Sequence, residues 1–184
     1  MRSLIRSTLP AATLIAGLTT TVSAGAALSK TGGSRVEFRA KGPVGMTILG
    51  RTSDLQVDDN AKTLVVKVPL DNLKTGIGLR DRHMKEKYLE VDRYPDAELS
   101  VPHSALRFPG DGSTLEASAI GRLSLHGVTR NVHFRYKAKH NGRVYRVEGL
   151  LHVNMHDYNI RVPSYLGITV KPNVAVKVAF QVKQ

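Results

Sequence analysis

"VHFRYKAKHNGRVYRVEGLLHV", residues 132–153, decides the fold, because two alternating segments flank an Asn-Gly pair. Apolar side chains recur at every second position of the first segment, from Val132 to Ala138, and again from Tyr145 to Val153. Period-two alternation is typical of a strand with one buried face. Asn141-Gly142 is the preferred pair for a type I′ hairpin turn. The stretch therefore predicts two antiparallel strands joined by a tight turn.

The same alternation recurs elsewhere and indicates an all-β protein. The last strand candidate alternates at Val174, Val176, Val178, Phe180 and Val182. Less regular candidates cover 35–41, 45–58, 63–70, 96–103 and 114–126, with Gly, Pro, Asn and Asp turn signals between many of them. Eight antiparallel strands can close into a barrel with room for side chains or one slender ligand. We predict an eight-stranded antiparallel barrel, and a two-sheet sandwich is the alternative.

One short amphipathic helix is predicted at about 77–91, between two strand candidates. Its apolar stripe consists of Ile77, Met84, Tyr88 and Val91. Asp81 and Lys85 are four residues apart, with the acid nearer the N-terminus, which favours an ion pair. Tyr94-Pro95 ends the helix, because the residue before proline disfavours the α region. We expect this helix to lie across or beside the barrel.

The N-terminus predicts export. Two arginines precede an apolar run at 9–18, and small residues lead to a cleavage site after Ala24. The run is too short for the roughly 20 residues of a membrane-spanning helix. We therefore expect a signal peptide at 1–24 and one barrel domain at 25–184, in the periplasm or secreted. The chain has no cysteine, which excludes a disulfide framework and a cysteine metal site.

The charge of the chain narrows the classes of partner. The formal net charge is +12, and removal of the leader with its two arginines leaves +10. A basic protein attracts anions such as lipid head groups, phosphorylated ligands and nucleic acid. Export argues against nucleic acid, so an anionic membrane surface is the macromolecular candidate. Solubility alone is the alternative role for this charge.

The segment "GIGLRDRHMKEKYL", 76–89, is the densest run of side chains capable of chemistry. Arginine presents a planar fork of donors that suits phosphate oxygens, so Arg80, Arg82 and His83 are candidate contacts for an anionic head group. A solvated helix face is the structural alternative. His83 and Glu86 could supply two metal ligands, but a catalytic zinc site needs three, and we predict no metal and no cofactor.

Catalysis finds no support among local motifs. A GxSxG nucleophile elbow and cysteine are both absent from the sequence. A carboxylate pair formed through space stays open as a route to an unrecognised hydrolase. We predict a non-catalytic protein. Few aromatic residues and many Val, Ala and Gly also favour a cavity inside the barrel over a filled core.

Five motifs occur in an order that resembles the YceI-like family of exported bacterial proteins. They are "TGIGLRDRHM" (75–84), "YLEVDRYPDAELSV" (88–101), "GRLSLHGVTRNV" (121–132), "MHDYNI" (155–160) and "NVAVKVAFQV" (173–182). The resemblance implies a lipocalin-like barrel that binds a long isoprenoid, such as a polyprenyl phosphate or a quinone-like lipid, without chemistry of its own. Arg80, Asp81 and His83 occupy the family's R-D-x-H positions.

The resemblance also suggests where the ligand lies. The pocket residues that we expect are Ile77, Met84, Tyr88, Phe134, Tyr136, Tyr158 and Phe180. The sequence departs from the family at Gly50-Arg51-Thr52, which lacks an aromatic residue often found there, and at Asn159, where many members have Gly. The first departure affects the expected shape of the pocket. The sequence leaves open the ligand's identity and the oligomeric state, a dimer included.

Overall fold

A computed structural model of the protein describes residues 27–165 and 168–184. The predicted signal peptide at 1–24 lies outside these residues. The strands are β1 (Ser29–Lys41), β2 (Thr47–Thr52), β3 (Gln56–Asp59), β4 (Thr63–Pro69), β5 (Asp96–Pro102), β6 (Thr114–Leu125), β7 (Val128–Asn141), β8 (Val144–Asn154), β9 (Ser164–Tyr165), β10 (Ile168–Thr169) and β11 (Asn173–Lys183).

Nine of these strands form one curled antiparallel sheet in the order β2-β1-β11-β8-β7-β6-β5-β4-β3. The all-β prediction is confirmed, with nine strands instead of eight, because the predicted strand 45–58 is divided into β2 and β3 by residues 53–55. These two strands are the edges of the sheet, so a three-residue connection joins the edges. The Leu28 N–H donates a 2.8 Å hydrogen bond to the Asp59 carboxylate, which ties the residue before β1 to the end of β3.

The predicted alternation defines the inner and outer faces of the sheet. Along β7, every second residue from Val132 to Ala138 is buried, and the residues between them are exposed. The largest core cluster joins this inner face to β6, β8 and the segment that follows β8. Burial of these apolar side chains is the main stabilising contribution to the fold, at about 25 cal/mol per Å².

One hairpin differs from the prediction in its turn geometry. The β7–β8 pairing places Gly142 and Arg143 in the two-residue loop, and of these only Gly142 has a positive φ, 59°. A glycine at the first central position is typical of a type II′ turn, so the predicted type I′ turn at Asn141-Gly142 is wrong. The β6–β7 hairpin has the type I′ signature instead, with positive φ at both His126 and Gly127.

The predicted helix is shorter than expected. It comprises α1 (Gly78–His83) and one following π-helical turn, Met84–Tyr88. The expected ion pair between Asp81 and Lys85 is not the one formed, because the Lys85 ammonium lies 3.6 Å from Asp71 instead.

The antiparallel pairing gives the curled sheet two ends with different loops. We call one the helix end, because the loop between β4 and β5 that carries α1 lies there. The β1–β2 loop and the long connection from β8 to β11 lie at the same end. In that connection, Asn159 has a φ of 54°, a left-handed conformation that Asn tolerates well. The opposite end, which we call the far end, carries the 103–113 loop between β5 and β6.

Candidate functional site

A cavity of about 870 Å³ lies inside the curled sheet and extends from the helix end to the far end. Its walls are formed by strands on every side, with Phe38 and Met46 toward the helix end and Leu106 and Tyr145 toward the far end. Nearly all of its lining is apolar. The polar exceptions are Thr75, Arg80, His83, Lys87, Arg107 and Ser164. The volume lies near the upper end of the 300–1,000 Å³ that is usual for ligand pockets.

Six of the seven predicted pocket residues line this cavity: Ile77, Met84, Tyr88, Phe134, Tyr136 and Phe180. Tyr158 is not among the lining residues and belongs to the main core cluster, with only 2% of its surface exposed. Its phenol oxygen has no hydrogen-bond partner among the described residues. Burial, together with the charge of Asp157, raises the pKa of Tyr158, against a smaller opposite effect of Arg130.

The helix end carries most of the polar part of the lining, and Arg107 is at the far end. Thr75, Arg80, His83 and Lys87 line the cavity there, all within or just before the helical segment. Arg82, which was predicted as a head-group contact, is exposed and does not line the cavity. Lys87 was seen in the sequence as part of the charged run, but it was not selected as a contact. The cations that border the cavity at the helix end are therefore Arg80 and Lys87, with His83 between them.

Arg80 is held in place by the residue that precedes the helix. Its Nε donates to the Thr75 hydroxyl over 2.7 Å, and its Nη2 donates to the Thr75 carbonyl over 2.9 Å. The Asp81 carboxylate accepts bonds from the Thr75 N–H, at 2.7 Å, and from its hydroxyl. Burial tends to raise the pKa of Asp81, but these bonds and the charges of Arg80 and Lys85 outweigh it, so the pKa lies below its usual value. The ionised Asp81 thus fixes the loop against which Arg80 is oriented.

The far end is closed in part by the 103–113 loop, which the sequence did not assign to the site. The Tyr136 hydroxyl accepts a 2.7 Å bond from the Arg107 N–H and donates a 2.9 Å bond to the Arg107 carbonyl. Phe108 lies edge-on to Tyr145, with ring centroids 6.1 Å apart. Both Arg107 and Phe108 line the cavity. A tyrosine on a central strand therefore positions the loop that covers this end.

A fully buried carboxylate anchors the same end. The Asp59 side chain has no exposed surface, and one of its oxygens lies 2.8 Å from His103 Nε2. It also accepts bonds from the Leu28 and Ala61 N–H groups. These partners come from the start of β1, the β3–β4 turn and the beginning of the 103–113 loop. Asp59 thus joins three chain segments at the far end.

Gly50 determines the shape of the cavity wall where β1 and β2 pair. A Cβ at this position would lie 2.0 Å from the Phe38 ring, so only glycine leaves space for that ring. Phe38 pairs with Gly50 across β1 and β2 and lines the cavity. An aromatic side chain from the neighbouring strand thus occupies the wall beside Gly50.

In 27–165 and 168–184, His, Asp and Glu side chains form no group of three or more that could hold a metal ion. No helix in this part of the chain has the length and apolar character needed to cross a membrane.

Solved structures of low sequence identity share the fold. A polyisoprenoid binding domain from Saccharophagus degradans, implicated in plant cell wall breakdown, is similar with a TM-score of 0.70 at 18% identity, over 85% of this chain and 97% of that one. BcnA of Burkholderia cenocepacia is similar with a TM-score of 0.65 at 19% identity, over 82% and 96%. The Campylobacter jejuni YceI protein reaches 0.54 at 14% identity, over 74% and 85%.

No match was found among curated proteins. A family model, the YceI-like domain, matches residues 29–182, which is nearly all of the described chain. The order of the sequence motifs, the curled antiparallel sheet and this match agree with one another. The protein belongs to the YceI-like family.

Proposed function

We propose that this protein binds an isoprenoid or a similar long-chain lipid, with the tail in the cavity and the head at the helix end. The observation that carries the proposal is the cavity itself, about 870 Å³ with an almost wholly apolar lining, and with Arg80, His83 and Lys87 grouped where the α1 loop borders it. A tail without polar atoms suits such walls, because its burial leaves no hydrogen-bond donor or acceptor of the tail without a partner.

The volume of the cavity sets a scale for the tail. An apolar cavity of about 150 Å³ holds one benzene ring, and an isoprene unit has five carbons where benzene has six. A volume of 870 Å³ therefore accommodates roughly five or six isoprene units. Each buried methylene contributes about 0.8 kcal/mol before ordering costs, so the tail can supply most of the affinity.

The first test is direct detection of a ligand. Native mass spectrometry and organic extraction of the purified protein should show a co-purifying lipid whose mass fits an isoprenoid chain. A ligand-free protein that also takes up no added geranylgeraniol would contradict the proposal.

The second test concerns the head group. Lys87→Gln removes a cation that lines the cavity. Lys85→Gln is its matched control, because Lys85 is two residues earlier in the same helical segment, does not line the cavity and pairs with Asp71. We expect Lys87→Gln to weaken binding of a prenyl phosphate by about fivefold to tenfold, which is less than the loss of a buried charge-assisted hydrogen bond because Lys87 is exposed. Binding of the neutral alcohol should stay unchanged. Equal losses for both lipids, or for both variants, would exclude Lys87 as a head-group contact.

We further propose that the protein is an exported carrier without catalytic activity, whose basic surface favours anionic membranes. Support comes from the leader-like N-terminus and the net charge of +12. N-terminal sequencing of the protein from the periplasmic fraction should find a start at residue 25. Recovery of the uncleaved chain from the cytoplasm would contradict export.

A further inference from the structure

The helix end exposes most of the large apolar side chains that lie at the surface. Six such residues are strongly exposed in the described part of the chain, and four of them are at this end: Val44, Ile77, Leu79 and Ile168. We call these four the docking rim. Ile77, Leu79 and Ile168 also line the cavity, while 53%, 60% and 47% of their surfaces face solvent. These three residues therefore border an opening of the cavity, and Val44 lies at the same end of the sheet.

Val44 has no role inside the fold that explains its position. Its side chain is fully exposed at the tip of the β1–β2 loop. Its backbone is left-handed, with φ 51° and ψ 38°, which is a clear outlier for a β-branched residue. An apolar side chain held in a strained conformation without intramolecular contacts points to a contact with something outside the chain.

The segments that carry the rim are basic. Residues 41–47, 74–88 and 161–171 contain eight Lys or Arg and two acids, a net charge of +6. Two of the three acids in the adjoining parts of the α1 loop are paired with cations, Asp71 with Lys85 and Glu90 with Arg93, and the third, Asp92, is exposed. An apolar border surrounded by positive charge complements a bilayer with anionic head groups, because apolar side chains enter the interface while Lys and Arg meet lipid phosphates.

We propose that the docking rim seats the opening of the cavity on an anionic phospholipid bilayer, so that a lipid tail passes between bilayer and cavity without crossing water. This inference rests on the proposed lipid-binding function for its purpose, but the docking itself is measurable without it. The far end lacks the same combination, because Phe108 is its one strongly exposed large apolar residue among those described.

The experiment measures sedimentation of the full protein with phosphatidylcholine vesicles, with and without phosphatidylglycerol. Two variants leave the cavity lining unchanged. Val44→Asn alters the docking rim itself, and the double variant Lys41→Gln/Lys171→Gln removes two exposed charges from the segments that carry it. Asn tolerates the left-handed conformation at position 44, so folding should be preserved. Each basic residue at an anionic surface contributes about fivefold to partitioning, so the double variant should bind roughly 25-fold more weakly.

The controls carry the same chemical changes elsewhere. Lys62→Gln/Lys183→Gln removes two exposed charges at the far end, and Ile120→Thr removes an exposed apolar residue from the side of the sheet. Both controls should keep partitioning onto phosphatidylglycerol-containing vesicles within about twofold of the original protein. Val44→Asn should lower this partitioning by about tenfold, as for loss of one inserted aliphatic side chain.

Each outcome decides the proposal. Equal losses for the two lysine pairs would overturn it, since they would show a general charge effect, and so would equal binding to vesicles with and without phosphatidylglycerol. Uptake of geranylgeraniol from detergent micelles is measured in parallel. If uptake fails while the rim variants still lose vesicle binding, the lipid-carrier function is wrong and the docking rim stands. If uptake succeeds and the rim variants bind vesicles normally, the docking rim is wrong and the carrier function stands.

Discussion

Val176→Phe tests directly whether the cavity is empty space that a ligand can fill. Val176 lies in the middle of β11, opposite Leu151 on β8 and Phe38 on β1, and its side chain lines the cavity. In a filled core, a larger side chain costs about 1–3 kcal/mol of unfolding free energy, because neighbours must leave their preferred rotamers. Here the added atoms extend into open volume.

The expected magnitude follows from the atoms added. Phenylalanine has four more carbons than valine, and burial of each is worth about 0.8 kcal/mol, which gives an upper limit near 3 kcal/mol. Ordering the larger side chain and incomplete burial reduce this, so we expect Val176→Phe to raise the unfolding free energy by about 1–2 kcal/mol. The ring occupies roughly the space of one isoprene unit. A prenol that fills the cavity should therefore bind about tenfold more weakly, while a prenol of half that length should bind as before.

The assay combines urea unfolding of delipidated protein with titration of a short and a long prenol. Ala175→Val is the matched control, since Ala175 neighbours Val176 on the same strand and does not line the cavity. It should change neither ligand's affinity. A loss of 1–3 kcal/mol for Val176→Phe would refute the reasoning, because it would mean that side chains fill this volume in solution. Equal weakening of both prenols would show that the ring distorts the site and does not merely shorten it.

The remaining predictions concern the structure around the cavity. Gly50→Ala places a methyl group where the Phe38 ring lies, so the unfolding free energy should fall by about 1–3 kcal/mol in urea titrations, and an unchanged value would show that the ring moves freely. The pKa of Asp81 in the folded protein lies below its usual 3.8, so the stabilising contribution of this carboxylate is present above that value and is lost as the pH falls through the folded pKa. Asp81→Asn and Thr75→Val should therefore flatten the decline in melting temperature below about pH 4. An unaltered acid profile would contradict a stabilising role for the hydrogen bonds between Thr75 and Asp81. Asp59→Ala leaves two backbone N–H groups without their acceptor, and calorimetry should show a loss of about 2–4 kcal/mol, whereas a loss below 1 kcal/mol would mean that water replaces the carboxylate.

Much of the fold could be predicted because strand alternation is a local signal. The exposure pattern from Val132 to Ala138 follows the sequence residue by residue, since neighbouring side chains of a strand point to opposite faces. The division of 45–58 was missed because no residue in it interrupts a strand by itself. The break lies where the chain passes from one edge of the curled sheet to the other.

The turns show a similar limit. Asn141-Gly142 has the preferred type I′ sequence, yet the pairing of β7 with β8 moves the loop by one residue to Gly142 and Arg143. Which residues form a two-residue loop depends on the register of the whole hairpin, and the buried face decides that register. At His126-Gly127 the register and the turn chemistry agree, and both residues adopt positive φ.

Sequence reasoning identified part of the candidate site. It selected Arg80 and His83, which border the cavity, together with Arg82, which does not. Helix spacing carried a signal that the prediction did not use, because Arg80 and His83 are three residues apart on one face of α1 and Arg82 lies off that face. The contribution of Arg107 had no sequence signal, since a backbone bond to Tyr136 places its loop at the far end.

The sequence by itself determined the class of this protein: an all-β chain with one short helix, and with motifs whose order indicates the YceI-like family. Those features are local, because alternation, turn residues and motif order are read along the chain. Only the tertiary structure decided that the interior is an open cavity, that Phe38 occupies the space beside Gly50, and that four exposed apolar residues from three separate loops lie at one end of it. The physical reason is that cavity volume and surface patches arise from residues distant in sequence, and the curvature of the sheet brings those residues together.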